Sequence, residues 1–471
     1  MIKKPSASKD FVILFPNGKQ ILPEEYSGKD EDFQSLLDKE VFKKISKAAK
    51  APMHLKIMKD LELVGVEDLS DRGHLRFYPK GALILDLLAD YLLDQMLKEN
   101  AHPVKSSIMY SVSAEPVKQH AKLFGERLYK LKVQKKEYIL RYAACFGQFS
   151  ILKDALISYR CLPLKIFELA DSYRLEQSGE VSGLFRQRRF HMGDLHVLCK
   201  DLESAKQEFL RLFIKAYRIA EDFGWSYVAM FNICRSFYNQ NRDFILKLVK
   251  ASQKPVLLNL GIPEGKYYWV INIDLDFIDN LKRPVESVGM QIDLGNAKRF
   301  GIKFIDENGK RRYPVIIHAA LMGSLERWIN NLLENAVKQQ KLGKLPSLPL
   351  WLSPIQVRIL PIAERHLSMA LKVVEELENL KVRADIDDRE ISLRRKIRNA
   401  RKEWVPIYAV IGDEEVKSKK LSVSIRGSKE YLHSKMSIEE LANFIHKKCA
   451  GKPFRKSYVH KRLSMRPVFV S

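Results

Sequence analysis

The chain of 471 residues has few cysteines and no long apolar run, and each absence excludes a class of protein. Its five cysteines are odd in number and scattered, without a CxxC pair, so neither a disulfide framework nor a zinc knuckle is indicated. No run of about 18 uninterrupted apolar residues occurs, which argues against a transmembrane helix. The opening residues, MIKKPSASKDFVILF, lack the apolar segment of a signal peptide. We therefore expect a cytoplasmic protein without a membrane partner.

Familiar nucleotide- and RNA-binding motifs are also missing. The sequence contains no Walker A loop, no GxGxxG, no RGG tract and no RNP motif. The charge, in contrast, is one-sided, because 81 Lys and Arg residues outnumber 57 Asp and Glu residues to give +24. Such an excess favours a polyanionic partner, most simply nucleic acid. A basic but unspecialised surface is the alternative.

A segment rich in Pro and Gly, 341–354, marks a boundary in the chain, and hydrophobic periodicity predicts the elements on either side of it. Before it, the pattern predicts a Lys-rich helix around 31–50, helices over 81–100, 115–130, 202–220 and 323–340, and strands over 268–279 and 313–321. Ser324 is placed to cap the last of these helices. Beyond the boundary, alternating strands and helices predict a small α/β domain with a mixed, largely parallel sheet. Its predicted elements are strands over 355–362, 382–387, 406–412 and 421–426 and helices over 364–379, 389–402 and 437–449.

Residues 167–199 read as two strands joined by a loop that contains Gly and Ser. On the second strand, several chemically active residues fall on even positions, so alternation would turn them to one face. This face would carry two cations, an aromatic ring, a carboxylate and a possible metal ligand. Such a set is unfavourable in a hydrophobic core, but it suits a surface that binds a phosphorylated ligand. These residues are Arg186, Arg188, Phe190, Asp194 and His196.

Two sets of distant residues suggest chemistry but do not establish it. Arg174, Arg186 and Arg327 could neutralise a triphosphate, since arginine forms fixed, bidentate contacts to phosphate. Three ordinary surface arginines are the alternative. Cys145, His196 and His318 could bind a metal, although their spacing is too long for a loop-type zinc motif. A buried free cysteine and two satisfied histidines are the alternative there.

Several segments together resemble the threonyl-tRNA synthetases over residues 56–471. A long helix followed by proline resembles motif 1 of class II synthetases, the strand–loop–strand resembles motif 2, and GSLER resembles motif 3. The C-terminal part resembles the anticodon-binding domain of the histidine, proline, glycine and threonine enzymes. The segments that carry this resemblance are GALILDLLADYLLDQMLKENAHP, RLEQSG, LFRQRRF, DLH, PVIIHAALMGSLERW, WLSPIQVRILPI, VRADIDDR and RRKIRNARKEWVPIYAVIGDEEV.

The resemblance implies a fold class and a division of the chain. The fold would be an α+β class II catalytic domain, with an antiparallel sheet flanked by helices, followed by a small α/β anticodon-binding domain with a mixed sheet. Residues 1–55 would be a short N-terminal extension, 56–343 the catalytic domain and 344–471 the anticodon-binding domain. Since motif 1 normally builds the dimer interface of this class, we expect a homodimer.

The resemblance also implies a role for each matching residue. Cysteine in AACFGQF and histidine in DLHVL and VIIHAAL mark the threonine enzyme and would hold one Zn²⁺ per subunit, while Mg²⁺ would accompany ATP. The implied assignments are Cys145, His196 and His318 to zinc, Arg174 to the threonine carboxylate and α-phosphate, Arg186 and Arg327 to the β- and γ-phosphates, Phe190 and Glu176 to adenine, Asp194 to threonine, and Gln291 and Ser324 to the nucleotide or the tRNA terminus. One residue of Tyr267, Tyr268 and Trp269 would line the amino-acid pocket.

Zinc would explain the choice of amino acid. Three protein ligands leave open positions for the threonine amino and hydroxyl groups. Valine lacks the hydroxyl and would be rejected by roughly 10⁴–10⁵, whereas serine loses only one methyl, worth about 1–3 kcal/mol. The pocket would therefore admit some serine. Only about 55 residues precede the catalytic similarity, without an HxxxH-type hydrolytic pair, so the sequence best matches archaeal-type enzymes without an editing domain, corrected by a separate trans-editing protein.

Two positions depart from the family pattern. Met192 stands where bacterial-type relatives have a glutamine associated with the contacts to the acceptor end. In the anticodon-binding part, Glu415 matches the family glutamate, whereas Ser424 stands at the usual arginine and Arg426 follows two residues later. Glu415 and Arg426 are our predicted anticodon-binding residues.

The resemblance thus implies a threonine–tRNA ligase that binds threonine, ATP and threonine tRNA. One alternative is a non-catalytic, synthetase-like RNA-binding paralogue. Another is a class II ligase for a different amino acid, such as serine. The presence of all three arginines and all three metal-ligand candidates argues against the first alternative, and the intact Cys/His/His set argues against the second.

Overall fold

The computed structural model describes residues 10–44 and 51–469, which fall into two compact units. The first unit comprises the described residues 10–44 and 92–331, and the second comprises 51–91 and 332–469. Of the Lys-rich helix predicted around 31–50, Glu31–Glu40 is observed, and residues 45–50 lie outside the described residues. No helix within the described ranges is long and apolar enough to cross a membrane.

A ten-stranded sheet forms the centre of the first unit. Neighbouring strands are antiparallel except for two pairs, Val228–Cys234 with Val256–Ile262 and Leu164–Tyr173 with His102–Pro103. Helix Leu202–Asp222 buries Phe209 and Phe213. The strand order is Gln20–Ile21, Phe11–Leu14, Val256–Ile262, Val228–Cys234, Trp269–Ile278, Pro284–Asp293, Val315–Ala320, Arg189–Cys199, Leu164–Tyr173 and His102–Pro103.

Helices and small sheets complete the described chain. Each predicted helix before the boundary is present, although 115–130 ends early, at Phe124. The small sheets pair Arg311–Arg312, Phe304–Ile305 and Ile157–Ser158; Met109–Ser111, Lys136–Leu140 and Lys130–Val133; and Val64–Val66 with Leu75–Phe77. The α-helices are Glu31–Glu40, Met53–Asp60, Pro79–Leu97, Glu115–Phe124, Cys145–Asp154, Leu202–Asp222, Arg235–Gln240, Arg242–Ser252, Asn296–Phe300, Leu325–Lys341, Leu367–Asn379, Leu393–Lys402, Asp413–Ser418 and Ile438–Lys448.

The N-terminal residues extend the main sheet of the first unit. Strand Phe11–Leu14 pairs antiparallel with Val256–Ile262, and helix Glu31–Glu40 packs Phe33, Leu36 and Leu37 into the adjoining apolar core. The compact units thus divide the chain at other positions than the predicted boundaries 1–55, 56–343 and 344–471. That three-domain division stays a prediction.

The strand that carries Phe190, Asp194 and His196 starts later than the sequence pattern suggested. It begins at Arg189, because the backbone of Ser182 and Arg186 pairs in a tight turn just before it. The prediction that Arg186 and Arg188 share a strand face with the other three residues is therefore wrong. Both arginines lie in the loop instead.

The second unit contains a five-stranded mixed sheet. Its order is Ala384–Ile386, Val357–Pro361, Ile407–Ile411, Leu421–Arg426 and Tyr431–Met436. The first two neighbouring pairs are parallel and the last two antiparallel, which confirms a mixed sheet but not a largely parallel one. The expectation failed because strand Tyr431–Met436 was not predicted. Its middle residues, 432–435, are exposed and therefore carry no buried pattern.

A network of ion pairs runs through the second unit. The guanidinium of Arg358, fully buried, donates to both carboxylate oxygens of Asp385 at 2.9 Å and to Glu403 at 2.9 Å. Near the end of the described chain, Arg455 donates to both carboxylate oxygens of Asp90 and to Asp86. The last described segment of the chain is therefore held against residues that occur much earlier in the sequence.

Candidate functional site

A cavity of about 290 Å³ opens in the first unit and collects the residues that the sequence singled out there. Arg186 and Arg327 border it although they lie in separate segments. His196 is fully buried and contacts His318, which lines the cavity. The predicted residues that line the cavity are Cys145, Arg174, Glu176, Arg186, Phe190, Asp194, Gln291, His318, Ser324 and Arg327.

Strand register brings the two histidines together. In the main sheet His196 lies directly opposite His318, and His318 in turn lies opposite Gln291. Side chains of directly opposed residues share a face and lie about 5 Å apart at Cβ. The antiparallel pairing therefore places His196, His318 and Gln291 in one row across the sheet.

Cys145 completes a compact group with the two histidines. It begins helix Cys145–Asp154, and its Sγ lies 3.7 Å from Nδ1 of His318. Nε2 of His196 lies 3.0 Å from the same Nδ1. One ligand atom from each residue lies within 4.8 Å of the others, and all three residues are buried. A thiolate and two imidazole nitrogens at this spacing can hold a metal ion.

Two further residues contact the ring nitrogens of the histidines that face away from the group. Gln148, one helical turn after Cys145, has its Oε1 2.8 Å from Nδ1 of His196. Asp293 has its Oδ2 2.8 Å from Nε2 of His318. Each histidine is thus held through one ring nitrogen, and the other nitrogen faces the group.

Burial shifts the acid–base behaviour of this group strongly. It raises the pKa of the Cys145 thiol well above its usual range, and the carboxylates of Asp194 and Asp293 add to that shift. It lowers the pKa of His196 well below its usual range, helped by His318. It also raises the pKa of Asp194 to about 6. All three shifts favour neutral forms, and a bound cation would oppose the shift of the thiol, because the thiolate needs positive charge nearby.

Cationic side chains border another part of the cavity. The guanidinium of Arg174 lies 5.2 Å from the ring centre of Phe190, and its Nε donates to the carbonyl of Tyr142. Arg186 donates to Glu176 at 2.9 Å. A positively charged surface beside a flat aromatic ring suits an anionic ligand that carries a planar group.

The third arginine is set by the start of a helix. The hydroxyl of Ser324 accepts from the backbone N–H of Arg327 at 3.2 Å, as the predicted cap requires. Nε of Arg327 donates to the carbonyl of Phe185, in the turn between Ser182 and Arg186, and one terminal nitrogen donates to the carbonyl of Glu286. The cap and these two carbonyls fix the position of Arg327 at the cavity.

Several residues of the cavity lining, or in contact with the two histidines, were missed or left open by the sequence. Of the three neighbouring aromatics, Tyr268 lines the cavity, with its ring centre 5.3 Å from that of His318, while Tyr267 and Trp269 stack on each other. Asn272 was missed although it lies opposite Gln291 and accepts from it at 2.8 Å. Alternation along its strand could have indicated Asn272. Nothing in the sequence pattern pointed to Gln148 or Asp293.

The two predicted anticodon-binding residues lie in the second unit. Both carboxylate oxygens of Glu415 are used locally, by the N–H of Gly412 at 2.8 Å and the hydroxyl of Ser422 at 2.5 Å. Arg426 donates to the hydroxyl of Tyr431 at 2.6 Å. Ser422 and Arg426 share one face of a strand and lie about 13 Å apart along it. The structure therefore does not bring Glu415 and Arg426 into direct contact.

Family comparisons match both parts of the chain. Residues 129–336 match the model described as tRNA synthetase class II core domain (G, H, P, S and T), and residues 356–448 match the model described as anticodon binding domain. Every predicted site residue of the first unit falls in the first segment, and Glu415 and Arg426 fall in the second.

Similar proteins extend the match to nearly the whole chain. The threonine–tRNA ligase of Thermofilum pendens is 45% identical over 462 residues, which cover 97% of this chain and 75% of that protein. The one from Methanocaldococcus jannaschii is 42% identical over 479 residues, or 99% of this chain and 77% of that protein. A crystal structure described as the RNA binding domain of threonyl-tRNA synthetase from Cryptosporidium parvum Iowa II superposes with a TM-score of 0.75 at 24% identity, covering 85% of this chain and 98% of that one. At that identity the last comparison shows the fold alone.

Proposed function

Because the chain belongs to the threonine–tRNA ligases, a family of class II aminoacyl-tRNA synthetases, we propose that its cavity performs both steps of that reaction. Threonine would react with ATP to give threonyl-adenylate and pyrophosphate, and the threonyl group would then be transferred to the 3′ end of threonine tRNA. One observation carries this proposal. A single cavity of the first unit is bordered both by three arginines and by the candidate metal-binding group. The arginines are Arg174, Arg186 and Arg327, and the group consists of Cys145, His196 and His318.

The arginines would bind and orient ATP. Arg186 and Arg327 would hold the β- and γ-phosphates, and Arg174 would hold the α-phosphate together with the threonine carboxylate. Phe190 would offer its ring to adenine, with Glu176 and Gln291 as polar contacts. Mg²⁺ bound to ATP would offset part of the phosphate charge. Most of the catalysis would then come from positioning and charge stabilisation.

The buried group would hold a zinc ion. Cys145, His196 and His318 fit it, because a thiol and two imidazole nitrogens converge and each histidine has its other nitrogen engaged. When bound, zinc would supply a Lewis acid with an open position. Asp194, whose Oδ2 lies 3.9 Å from Sγ of Cys145, would orient the threonine amino group. Tyr268 would close the pocket against water.

This pocket would discriminate against valine more strongly than against serine. Valine lacks the hydroxyl, whereas serine keeps it and loses only a methyl group, so serine would enter at a low rate. We expect a separate trans-editing protein to correct that error. The homodimer, and anticodon contacts by Glu415 and Arg426, belong to the same proposal.

An ATP–pyrophosphate exchange assay tests the proposal most directly. The full chain is assayed with threonine, serine and valine while its metal content is measured. Threonine should be strongly active, serine weakly active and valine silent, with one zinc per chain. A folded protein without metal and without exchange for any of the three amino acids would contradict the proposal and favour a non-catalytic RNA-binding role.

Two arginine variants show whether the cavity carries the activity. Arg327→Ala should reduce exchange by roughly 10²–10³, since a fixed donor to the developing charge is lost. The control is Arg311→Ala, an exposed arginine at the short strand Arg311–Arg312, which should keep wild-type exchange. Equal activity of the two variants would argue against ATP binding at this cavity.

A further inference from the structure

Two fully buried residues outside the proposed ligand set each contact one of the two histidines. Gln148 contacts His196, and Asp293 contacts His318. A neutral imidazole carries its proton on one nitrogen and a lone pair on the other, so the partner of one nitrogen fixes the state of the second. The hydrogen bonds of Gln148 and Asp293 therefore bear on which nitrogen of each histidine carries the proton.

The side-chain amide of Gln148 has only one workable orientation. Its Nε2 donates to the backbone carbonyl of Asp194 at 3.1 Å, and that carbonyl can only accept. The opposite end of the amide, Oε1, must then face Nδ1 of His196 at 2.8 Å. His196 consequently carries its proton on Nδ1 and presents the lone pair of Nε2.

The carboxylate of Asp293 is held in a similar way. Its Oδ1 accepts from the backbone N–H groups of Gly295 and Asn296 at 2.7 and 2.9 Å. Its Oδ2 lies 2.8 Å from Nε2 of His318. His318 consequently carries its proton on Nε2 and presents the lone pair of Nδ1.

The two lone pairs thus face each other across 3.0 Å, with Sγ of Cys145 beside them. Two acceptors cannot hydrogen-bond to one another, so this arrangement suits a cation between them. We propose that Gln148 and Asp293 are positioning residues that hold His196 and His318 in the tautomers that bind metal through Nε2 and Nδ1. The proposal rests on the metal site of the proposed function.

Asp293→Asn is the sharpest test, because it should reverse one tautomer. Asparagine has a single oxygen, and the backbone N–H groups of Gly295 and Asn296 would claim it. Its amide N–H would then point at Nε2 of His318, which would move the ring proton to Nδ1, into the metal site. Loss of such a supporting contact typically weakens metal binding by about 10–100-fold. We expect zinc and cobalt affinity of the full chain, measured by chelator competition, to fall within this range.

The matched control is Asp306→Asn in the same unit. Oδ1 of Asp306 also accepts from two backbone N–H groups, of Asn308 and Lys310, and its Oδ2 accepts from Arg312 instead of a histidine. This variant should keep wild-type metal affinity. Thermal unfolding of all variants is measured in excess chelator. Asp293→Asn should unfold at the wild-type temperature there, because a change of tautomer does not require damage to the metal-free fold.

A second variant and a spectroscopic measurement complete the test. Gln148→Leu removes the acceptor at His196 without touching Asp293, and it should also weaken metal binding by about 10-fold or more. In ¹⁵N-histidine-labelled, metal-free protein, the proton of His318 should lie on Nε2 in the wild type and on Nδ1 in Asp293→Asn.

The outcomes separate this proposal from the proposed function. If the wild-type chain binds zinc and activates threonine but both variants bind metal as tightly, the positioning role is overturned and the ligase function stands. A wild-type chain that binds no metal overturns the positioning role, and one that also shows no exchange overturns the ligase function as well. Weaker metal binding by the two variants, with the predicted proton shift and unchanged metal-free stability, supports the positioning role.

Discussion

Glu403 is largely buried in the second unit beside Arg358, whose guanidinium it shares with Asp385. Burial by itself raises the pKa of Glu403, but the charge of Arg358, with smaller effects of Lys80 and Arg466, lowers it to about 2. An unpaired glutamate in the unfolded chain titrates near 4.3. The folded state therefore gains stability from this group above pH 4.3, and it loses that stability as the pH falls towards 2.

We predict that Glu403→Gln destabilises the second unit near neutral pH. A pKa difference of roughly two units corresponds to about 3 kcal/mol, which serves as an upper estimate for this partly solvated carboxylate. Urea unfolding of both proteins at pH 7 and at about pH 3 measures the effect. The difference should be largest at pH 7 and shrink in acid. The control Glu376→Gln, at an exposed position, should match the wild type at both pH values. A difference for Glu403→Gln that grows in acid would contradict the assignment.

Between elements, His191 joins the strand Arg189–Cys199 to the helix Leu325–Lys341. Its Nδ1 lies 2.6 Å from Oε1 of Glu326, which also accepts from the backbone N–H of His191. Burial lowers the pKa of His191, but Glu326, and to a lesser degree Asp171, raise it above the usual value, while nearby Arg189 opposes them. The ion pair is therefore complete below about pH 6.5 and is lost as the pH rises through the raised pKa.

Since Glu326 precedes Arg327, this pair should help to hold the proposed phosphate contact in place. We predict that His191→Ala raises the KM for ATP by about 5- to 10-fold in the exchange assay, with a smaller change in kcat, because one charged hydrogen bond is lost. His191→Gln, which can still donate to Glu326, should recover part of the loss. In the wild type the KM for ATP should rise at alkaline pH, and a pH profile identical in His191→Gln would show that His191 is not responsible.

For secondary-structure elements, the sequence predicted whether a segment is a helix or a strand better than where it begins or which strand it pairs with. Long amphipathic helices such as Leu202–Asp222 were found because one face is apolar at helical spacing. The start of the strand at Arg189 was missed, because Arg186 and Arg188 continue the even spacing of Phe190, Asp194 and His196. That spacing cannot reveal that the backbone of Ser182 pairs with that of Arg186. The exposed strand Tyr431–Met436 carries no apolar pattern, so pairing with its neighbour alone defines it.

The group formed by Cys145, His196 and His318 separates what residue patterns predict from what family resemblance predicts. Cys145, His196 and His318 come from three distant segments, and only strand pairing and a helix start bring them together. Spacing therefore gave almost no information, and the group was predicted by resemblance. Their supports Gln148 and Asp293 escaped both routes, because a hydrogen bond between distant buried side chains leaves no local signal.

For the whole molecule, the charge of +24 predicts a strong dependence of RNA binding on salt. Part of the excess lies on the exposed residues Arg394, Arg395 and Arg398 of helix Leu393–Lys402. Each neutralised phosphate releases counterions, so a contact with about 6–10 phosphates loses roughly 10³–10⁵ in affinity between about 50 and 200 mM salt. We predict such a fall for threonine tRNA in filter-binding or fluorescence titrations. The KM for threonine, which has no net charge, should change little, and an affinity for tRNA that is flat with salt would contradict an electrostatic interface.

The contact of Arg455 with Asp86 and Asp90 also has a consequence for the timing of synthesis. Arg455 and Asp90 lie 365 positions apart in the sequence. At roughly 5–20 residues per second, a ribosome needs about 20–70 s to pass from one to the other. During that interval Asp86 and Asp90 of helix Pro79–Leu97 cannot form their ion pairs with Arg455. The second unit is therefore completed late in translation, and its early helix has to remain without this ion pair until Arg455 has been synthesised.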